Sequence, residues 1–295
     1  MDIEKIDIEG ILAGYRIEKG KGFKLKKHRP DDTAGLKLSK TDAAALLHEG
    51  VDRLTLQQDM LYAQDRWSVL CIFQAMDAAG KDGTIKHVFS GVNPQGCHVA
   101  AFKQPSTTEL DHDFLWRHAL ALPSRGQIGI HNRSWYEEVL VARVHPEILT
   151  HQKLPPKLVT KRIWDERLED ISSFERYLAR QGIVVLKFFL NVSQEEQKRR
   201  FLQRLDEPEK NWKFSASDVA ERQHWDDYME AYEQAIAATA TPQSPWYVVP
   251  ADRKWFTRLV VVAAINRALK SLDLHYPKVT DEQRAALAEA RRSLG

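Results

Sequence analysis

Cys71-Ile-Phe-Gln-Ala-Met-Asp-Ala-Ala-Gly-Lys-Asp-Gly-Thr84 is the stretch whose reading decides the fold. Trp67 to Phe73 is a short, nearly continuous apolar run, the pattern of a strand covered on both faces of a parallel sheet. From Lys81 onward, Ile85, Val88 and Phe89 recur at spacings of three and four, which predicts a helix. Between them lies Ala-x-x-x-x-Gly-Lys, close to the phosphate-loop pattern Gly-x-x-x-x-Gly-Lys-[Ser/Thr]. In such a loop the backbone from Ala78, Ala79 and Gly80 through Asp82, Gly83 and Thr84 forms a concave anion site at a helix N-terminus. Lys81 adds a mobile positive charge there. Two positions depart from the pattern: Ala75 replaces the first Gly, and Asp82 replaces the hydroxyl residue that usually helps hold Mg²⁺. Asp77, inside the loop, is a carboxylate that can do that work instead. An ordinary strand-to-helix turn is the alternative that this stretch alone leaves open.

The chain has 295 residues, 43% hydrophobic and 28% charged, which is ordinary for a globular protein of one or two domains. No transmembrane run occurs, and Met1-Asp-Ile-Glu-Lys5 lacks the apolar core of a signal peptide. Cys71 and Cys97 both fall in predicted strands and read as reduced core residues. These features point to a cytoplasmic protein with no membrane partner. The net charge of +2 favours no polyanionic partner by itself. Lys19, Lys21, Lys24, Lys26, Lys27 and Arg29, however, cluster in residues 1–36, an irregular basic arm that is either solvated or a rim guiding a polyanion.

Five strands are expected, at Trp67–Phe73, His98–Phe102, Gln127–His131, Ile183–Leu190 and Trp246–Pro250. Helices are expected at about 41–61, 108–120, 136–144, 161–181, 194–205, 217–239 and 254–272, with Ser39 or Thr41 capping the first. Ser193 with Glu196 reads as a capping box. This alternation implies a parallel five-stranded sheet with helices on both faces, and a ligand site at the carboxyl ends of the strands. The division expected is the arm (1–36), an α/β domain (37–277) with a helical lid near 194–216, and a helical tail (278–295).

The third strand ends in Asn132-Arg133-Ser134, where an acid would be usual. Asn132 is a neutral ligand, which shifts charge onto Asp77 and onto Glu137 or Glu138. Arg133 sits where its guanidinium can fork onto phosphate oxygens, although the tripeptide also suits a plain loop cap. Lys198, Arg199, Arg200, Arg204, Lys210 and Lys213 mingle with acids, as in a salt-bridged helix or in a lid that closes over phosphates. Lys103 follows the second strand and is either a site residue or a surface lysine. Asp252 and Arg253 either reach a nucleotide base or cap the final helix. His112, His118, His145 and His151 lack metal-ligand spacing.

From about Pro30 to Pro277 the chain resembles the second family of polyphosphate kinases. The likeness is carried by Gln74–His87, Asn93-Pro-Gln-Gly96, Phe102-Lys-Gln-Pro-Ser106, Asp113-Phe-Leu-Trp-Arg117, Asn132-Arg-Ser-Trp-Tyr-Glu137 and Arg143-Val-His-Pro146. Glu196–Leu202, Glu209–Ser215 and Pro245–Asp252 complete it. The resemblance implies a three-layer phosphate-loop kinase fold like that of thymidylate kinases, and Mg²⁺-assisted phosphoryl transfer, with Mn²⁺ as a substitute, between inorganic polyphosphate and AMP, ADP or ATP. It implies that Asp77 organises metal, with Glu138 as a second candidate ligand, and that Lys81 binds the phosphates exchanged. Arg133, Arg199 and Arg200 would neutralise charge, alongside Lys103, Arg117 and Lys213. The form Asn-Arg-Ser-x-Tyr-Glu is most similar to the branch acting on both AMP and ADP. Departures are His131 before Asn132, Glu138 where that branch often has Asp, and Arg253.

A polyphosphate-dependent nucleotide kinase is thus the leading reading. An ATP-dependent nucleoside monophosphate kinase and a non-catalytic polyanion-binding protein are the alternatives. Nucleic acid is not an expected partner; apolar and aromatic helices outside the sheet point to a homo-oligomer.

Overall fold

The computed structural model describes residues 6–213 and 215–295. It begins with helix α1 (Ile8–Ala13) and a two-residue strand, β1 (Arg16–Ile17), followed by the long helix α2 (Lys40–Gln64), capped by the Ser39 hydroxyl. Strand β2 (Ser68–Gln74) is buried at every position and runs through the loop into α3 (Lys81–Val88). Strand β3 (Cys97–Ala101), two short helices α4 (Thr107–Leu110) and α5 (Trp116–Ala119), and β4 (Ile128–Asn132) come next. A 3₁₀ turn at Trp135–Glu138, α6 (Val141–Val144) and α7 (Ile163–Arg180) lead to β5 (Ile183–Asn191). The chain closes with α8 (Gln194–Asp206), α9 (Ala216–Glu221), α10 (Trp225–Thr239), β6 (Trp246–Pro250), α11 (Lys254–Lys270) and α12 (Asp281–Ser293). No helix of the described residues is long and apolar enough to cross a membrane.

All five expected strands form, each to within one residue. The sheet nevertheless has six strands, in the order β1-β6-β5-β2-β4-β3, and is mixed, because β1 pairs antiparallel with β6. A two-residue strand has no periodicity to read, so the segment taken for an irregular arm hides it. Lys187 and Phe189 of β5 meet α7 and α10, whereas Phe188 stacks on Phe73 and Tyr247. Successive strand residues point to opposite faces, so α7 and α10 cover one face. On the other, α11 packs against α2, α3 and the β5–β6 strands.

The arm is docked. Gly20 lies so close to α10 that an added Cβ would meet the Ala237 carbonyl oxygen at 1.7 Å. Gly20→Ala should therefore cost about 1–3 kcal/mol through forced displacement, read as a lower midpoint in denaturant unfolding. The His28 carbonyl accepts from Asn191 Nδ2 at 2.8 Å and the Pro30 carbonyl from the Asp252 amide at 3.1 Å, so the arm crosses the carboxyl ends of β5 and β6. Cys71 and Cys97 carry free thiols, the former buried.

Three helices read as continuous are broken, and of these the 136–144 segment is the 3₁₀ turn at Trp135–Glu138 followed by α6. The 108–120 segment splits where Asp113 Oδ1 accepts from the Leu115 amide at 2.9 Å, restarting the helix locally. The 217–239 segment splits at a 3₁₀ turn over Arg222–His224. There Glu221 is held by His145 and Tyr228, and Arg222 by the Gln194 carbonyl. Tertiary bonds override continuous helical propensity at that point.

Candidate active site

Strand order sets the position of the site. From β2 the chain moves outward to β3, back to β4, and then across to β5 on the other side of β2. The carboxyl end of β2 is therefore the switch point where ligands enter open α/β sheets. Phe73 is in register with Asn132 and Phe188, and Ala101 with Asn132, so the ends of β2, β3 and β4 share one edge. A cleft of about 780 Å³ opens there, lined by the whole loop from Asp77 to Thr84.

The loop backbone bends through left-handed conformations at Ala78 (φ +61°) and Gly80 (φ +104°). A glycine is required at the second, and the non-glycine at the first is costly, the kind of strain that persists where function needs it. α3 then begins at Lys81, presenting its N-terminus to the cleft. Lys81 is only 9% exposed, and its Nζ donates back to the Ala75 carbonyl at 2.9 Å. Burial, and then the charge of Arg133, lower its pKa, while Asp77, Glu137 and Asp82 oppose the shift.

Asp77 Oδ1 accepts from Arg133 Nη2 at 3.0 Å, and Arg133 Nη1 donates to Glu137 Oε2 at 3.0 Å. Gln74 Nε2 in turn donates to Glu137 Oε1 at 2.8 Å. Glu137 first, with Asp77 assisting against burial, raises the Arg133 pKa, which keeps the guanidinium charged. Arg133 itself has φ +69°, a second strained backbone position at the cleft. Asn132 Nδ2 donates to Asp82 Oδ1 at 2.8 Å, tying β4 to the first turn of α3.

The expected lid begins as an anchored helix. On α8, Gln197 Nε2 donates to the Asp77 carbonyl at 2.9 Å. Arg200 is buried, and its Nη1 donates to the Ala78 and Ala79 carbonyls at 3.1 and 2.6 Å. Its Nη2 reaches the Ala251 carbonyl at 2.6 Å and its Nε reaches Glu196 Oε1 at 2.7 Å. Arg200 thus braces the strained loop from behind. Glu196 also takes Arg199 at 2.6 Å, so its carboxylate does not turn back to the Ser193 amide. That amide donates to Asp252 Oδ1 at 2.8 Å instead, so the expected capping box is only half made.

Of the residues singled out from sequence, Asp77 to Thr84, Lys103, Asn132, Arg133 and Arg200 line the cleft. Glu137 supports it through Arg133. Arg199 is exposed and does not line the cleft; nor does Arg117, whose Nη1 instead holds the Lys103 carbonyl at 2.8 Å. The side chain of Lys213 lies outside the described residues. Glu138 lies away from the cleft. It is buried, ion-paired to Arg167 at 3.1 Å with both side chains 6% exposed, and lines a separate small pocket. Adjacent residues on a 3₁₀ turn point in different directions, so Glu137 reaches the site and Glu138 does not. Glu138→Ala should cost about 3–5 kcal/mol by stranding Arg167, read as a lower midpoint in thermal unfolding.

Sequence reading missed Gln203, Lys254, Thr257 and Arg258, which line the opposite wall near Arg204. A signal existed: α11 starts with Lys254, after Arg253, and has no acid in its first turn, against the preference set by the helix dipole. The cleft wall thus gathers Lys81, Lys103, Arg133, Arg200, Arg204, Lys254 and Arg258 against the carboxylates of Asp77 and Asp82. Among the described residues no group of three metal-ligating side chains occurs. One carboxylate with waters and substrate phosphates is nonetheless how Mg²⁺ is commonly held, and Asp77 fits that arrangement.

A sequence profile described as Polyphosphate kinase 2 matches residues 37–277. An ADP-polyphosphate phosphotransferase of Rhodopseudomonas palustris is 50% identical over 281 residues, covering 95% of this chain and 97% of that protein. An AMP/ADP-polyphosphate phosphotransferase of Meiothermus ruber is 43% identical over 270 residues, covering 90% and 96%. The crystal structure of polyphosphate kinase 2 from Arthrobacter aurescens superposes with a TM-score of 0.84 at 40% identity, covering 92% of this chain and 95% of that one. A phosphate-loop cleft rich in cations, on this sheet and with these relatives, leaves one conclusion: the chain belongs to the polyphosphate kinase 2 family.

Proposed function

We propose that this chain transfers a phosphoryl group reversibly between inorganic polyphosphate and AMP or ADP, with Mg²⁺ or Mn²⁺ held at Asp77. The observation that carries the reading is the lining of the cleft, where Lys81, Lys103, Lys254 and Arg258 add to Arg133, Arg200 and Arg204, the last three paired with Glu137, Glu196 and Asp218, around a phosphate loop. Two polyanionic substrates meeting end to end need that lining; phosphoryl transfer otherwise asks little covalent work of the protein. Bonds broken and formed are both phosphoanhydrides, so direction follows concentration and no enzyme-bound intermediate is required. The acceptor's terminal oxygen attacks the end phosphate in line while Lys81 and Arg133 hold the equatorial oxygens. When bound, a metal ion held by Asp77 would supply charge neutralisation during the transfer. Arg204, Lys254 and Arg258 extend the positive wall along the chain being consumed.

Both nucleotides are proposed as acceptors because the two relatives carry those substrates in their names and the chain shares most of its length with each. The two free thiols support a reducing, cytoplasmic setting. The test supplies polyphosphate with AMP, or with ADP, in the absence of ATP. ADP or ATP should form and chelation should abolish it. Product from ATP plus AMP but none from polyphosphate would establish the monophosphate kinase instead. Salt-sensitive binding without turnover would establish a polyanion binder.

A further inference from the structure

Behind the cleft lies a charge pair that the chemistry above does not use. Lys187, in the middle of β5, is fully buried and donates to Glu175 Oε2 of α7 at 2.6 Å and to the Thr239 carbonyl at 2.7 Å. Glu175 is 2% exposed. Its two oxygens are divided between two parts of the molecule. Oε2 takes Lys187 and, at 2.8 Å, the Ser244 hydroxyl, both belonging to the sheet and the approach to β6. Oε1 takes the Tyr136 hydroxyl at 2.7 Å and Trp135 Nε1 at 3.3 Å, two consecutive residues of the 3₁₀ turn between Arg133 and Glu137.

That turn is held from its other side as well. Gln74 Nε2, at the end of β2, donates to Glu137 Oε1, and Ser134 Oγ donates to Gln74 Oε1 at 3.4 Å. Residues 133 to 137 are thus clamped between the phosphate-loop strand and a buried carboxylate. We propose that the Glu175–Lys187 pair is a positioning device for phosphoryl transfer, acting through Tyr136 to set the turn that aims Arg133. The proposal rests on the phosphotransferase reading above.

Stability alone is a poor reason for such a pair. Desolvating two ions offsets most of their attraction, and apolar pairs of similar volume often do as well or better. Satisfied buried networks instead select one arrangement over near neighbours. The neighbour to be excluded here is concrete: a turn slightly rotated would move Glu137 and release Arg133 from its strained φ of +69°. A shift of about 1 Å at a reacting group can cost about 10²-fold in rate.

Two variants test this in the full chain. Tyr136→Phe removes the link, together with the hydroxyl's bond to Thr239 Oγ1 at 2.8 Å and the one it accepts from Lys187 Nζ at 3.3 Å, and leaves the Lys187–Glu175 contact and the Trp135 bond to Glu175 in place. Lys187→Met with Glu175→Gln removes the charges and keeps the packing volume. Tyr136→Phe should lose about tenfold in kcat and the double variant on the order of 10²-fold, with both substrate KM values within about threefold of wild type. Amide exchange over residues 133–138 should speed by about tenfold or more while β2 and β5 stay protected. A folded Tyr136→Phe protein with kcat within about twofold of wild type and unchanged exchange at that turn would overturn the proposal. So would exchange rising equally across β5, which marks plain destabilisation. If the double variant does not fold, Tyr136→Phe decides. If wild-type protein gives no turnover with polyphosphate, the functional reading fails, and the local exchange pattern still judges the clamp.

Discussion

Lys81→Ala should lower kcat/KM by about 10³-fold or more in either direction of transfer while leaving the circular dichroism of the protein unchanged. The amine sits under the loop, where little water screens it, so its charge acts at close to full strength on a phosphate in the cleft. The other cations approach from the walls, and none replaces a charge at the floor. Lys81→Arg should fail nearly as badly, because a longer, planar guanidinium does not reproduce the compact charge that the amine places beside the Ala75 carbonyl. The pH dependence follows from the same burial. A lysine whose pKa is lowered loses its proton at lower pH than a free lysine, so turnover should fall on the alkaline side earlier than ordinary lysine titration would bring. Steady-state rates from neutral to alkaline pH check both statements. A folded Lys81→Ala protein within tenfold of wild type would remove the amine from the chemistry.

Asp77→Asn is the second large effect, again about 10³-fold in turnover, with a weaker apparent affinity for Mg²⁺. Asp77 and Asp82 are the carboxylates lining the cleft, and Asp82 already accepts from Asn132. Asp77 is about one-third exposed and bonded on one oxygen by Arg133, so its other oxygen would be open to hold a metal ion. The amide keeps the volume and loses the charge. Arg133 retains Glu137, so the variant should stay folded and the loss should read on the metal. A Mg²⁺ titration identical to wild type, at any rate, would move the metal elsewhere.

Long signals were legible in the sequence and short ones were not. Five strands and the loop could be read because buried parallel strands are runs of apolar residues, and Gly80-Lys81 marks their exit. β1 could not, since two residues carry no pattern. Asp77, Lys81, Asn132 and Arg133 were found because loop and strand ends are fixed by the local chain. Residues delivered by distant helices were harder: Lys254 and Arg258 come to the cleft through α11 packing on α2 and α3, which no local pattern encodes. Glu138 lies away from the cleft because sequence adjacency to Glu137 says nothing about which way a tight turn points each side chain. Arg200 belongs to a segment that suits either a salt-bridged helix or a lid, and its donors are bound to Glu196 and to loop carbonyls.

The strap formed by residues 6–30 changes what counts as the smallest working piece of this protein. Its Pro30 carbonyl holds the Asp252 amide, and the Ala251 carbonyl beside it is gripped by the same guanidinium that steadies the phosphate loop. A trimmed version starting at residue 37, where the family profile begins, would free that corner and let slack run inward to the loop. Builders of fusions and shortened variants should therefore treat the front end as part of the engine mount and attach their additions elsewhere.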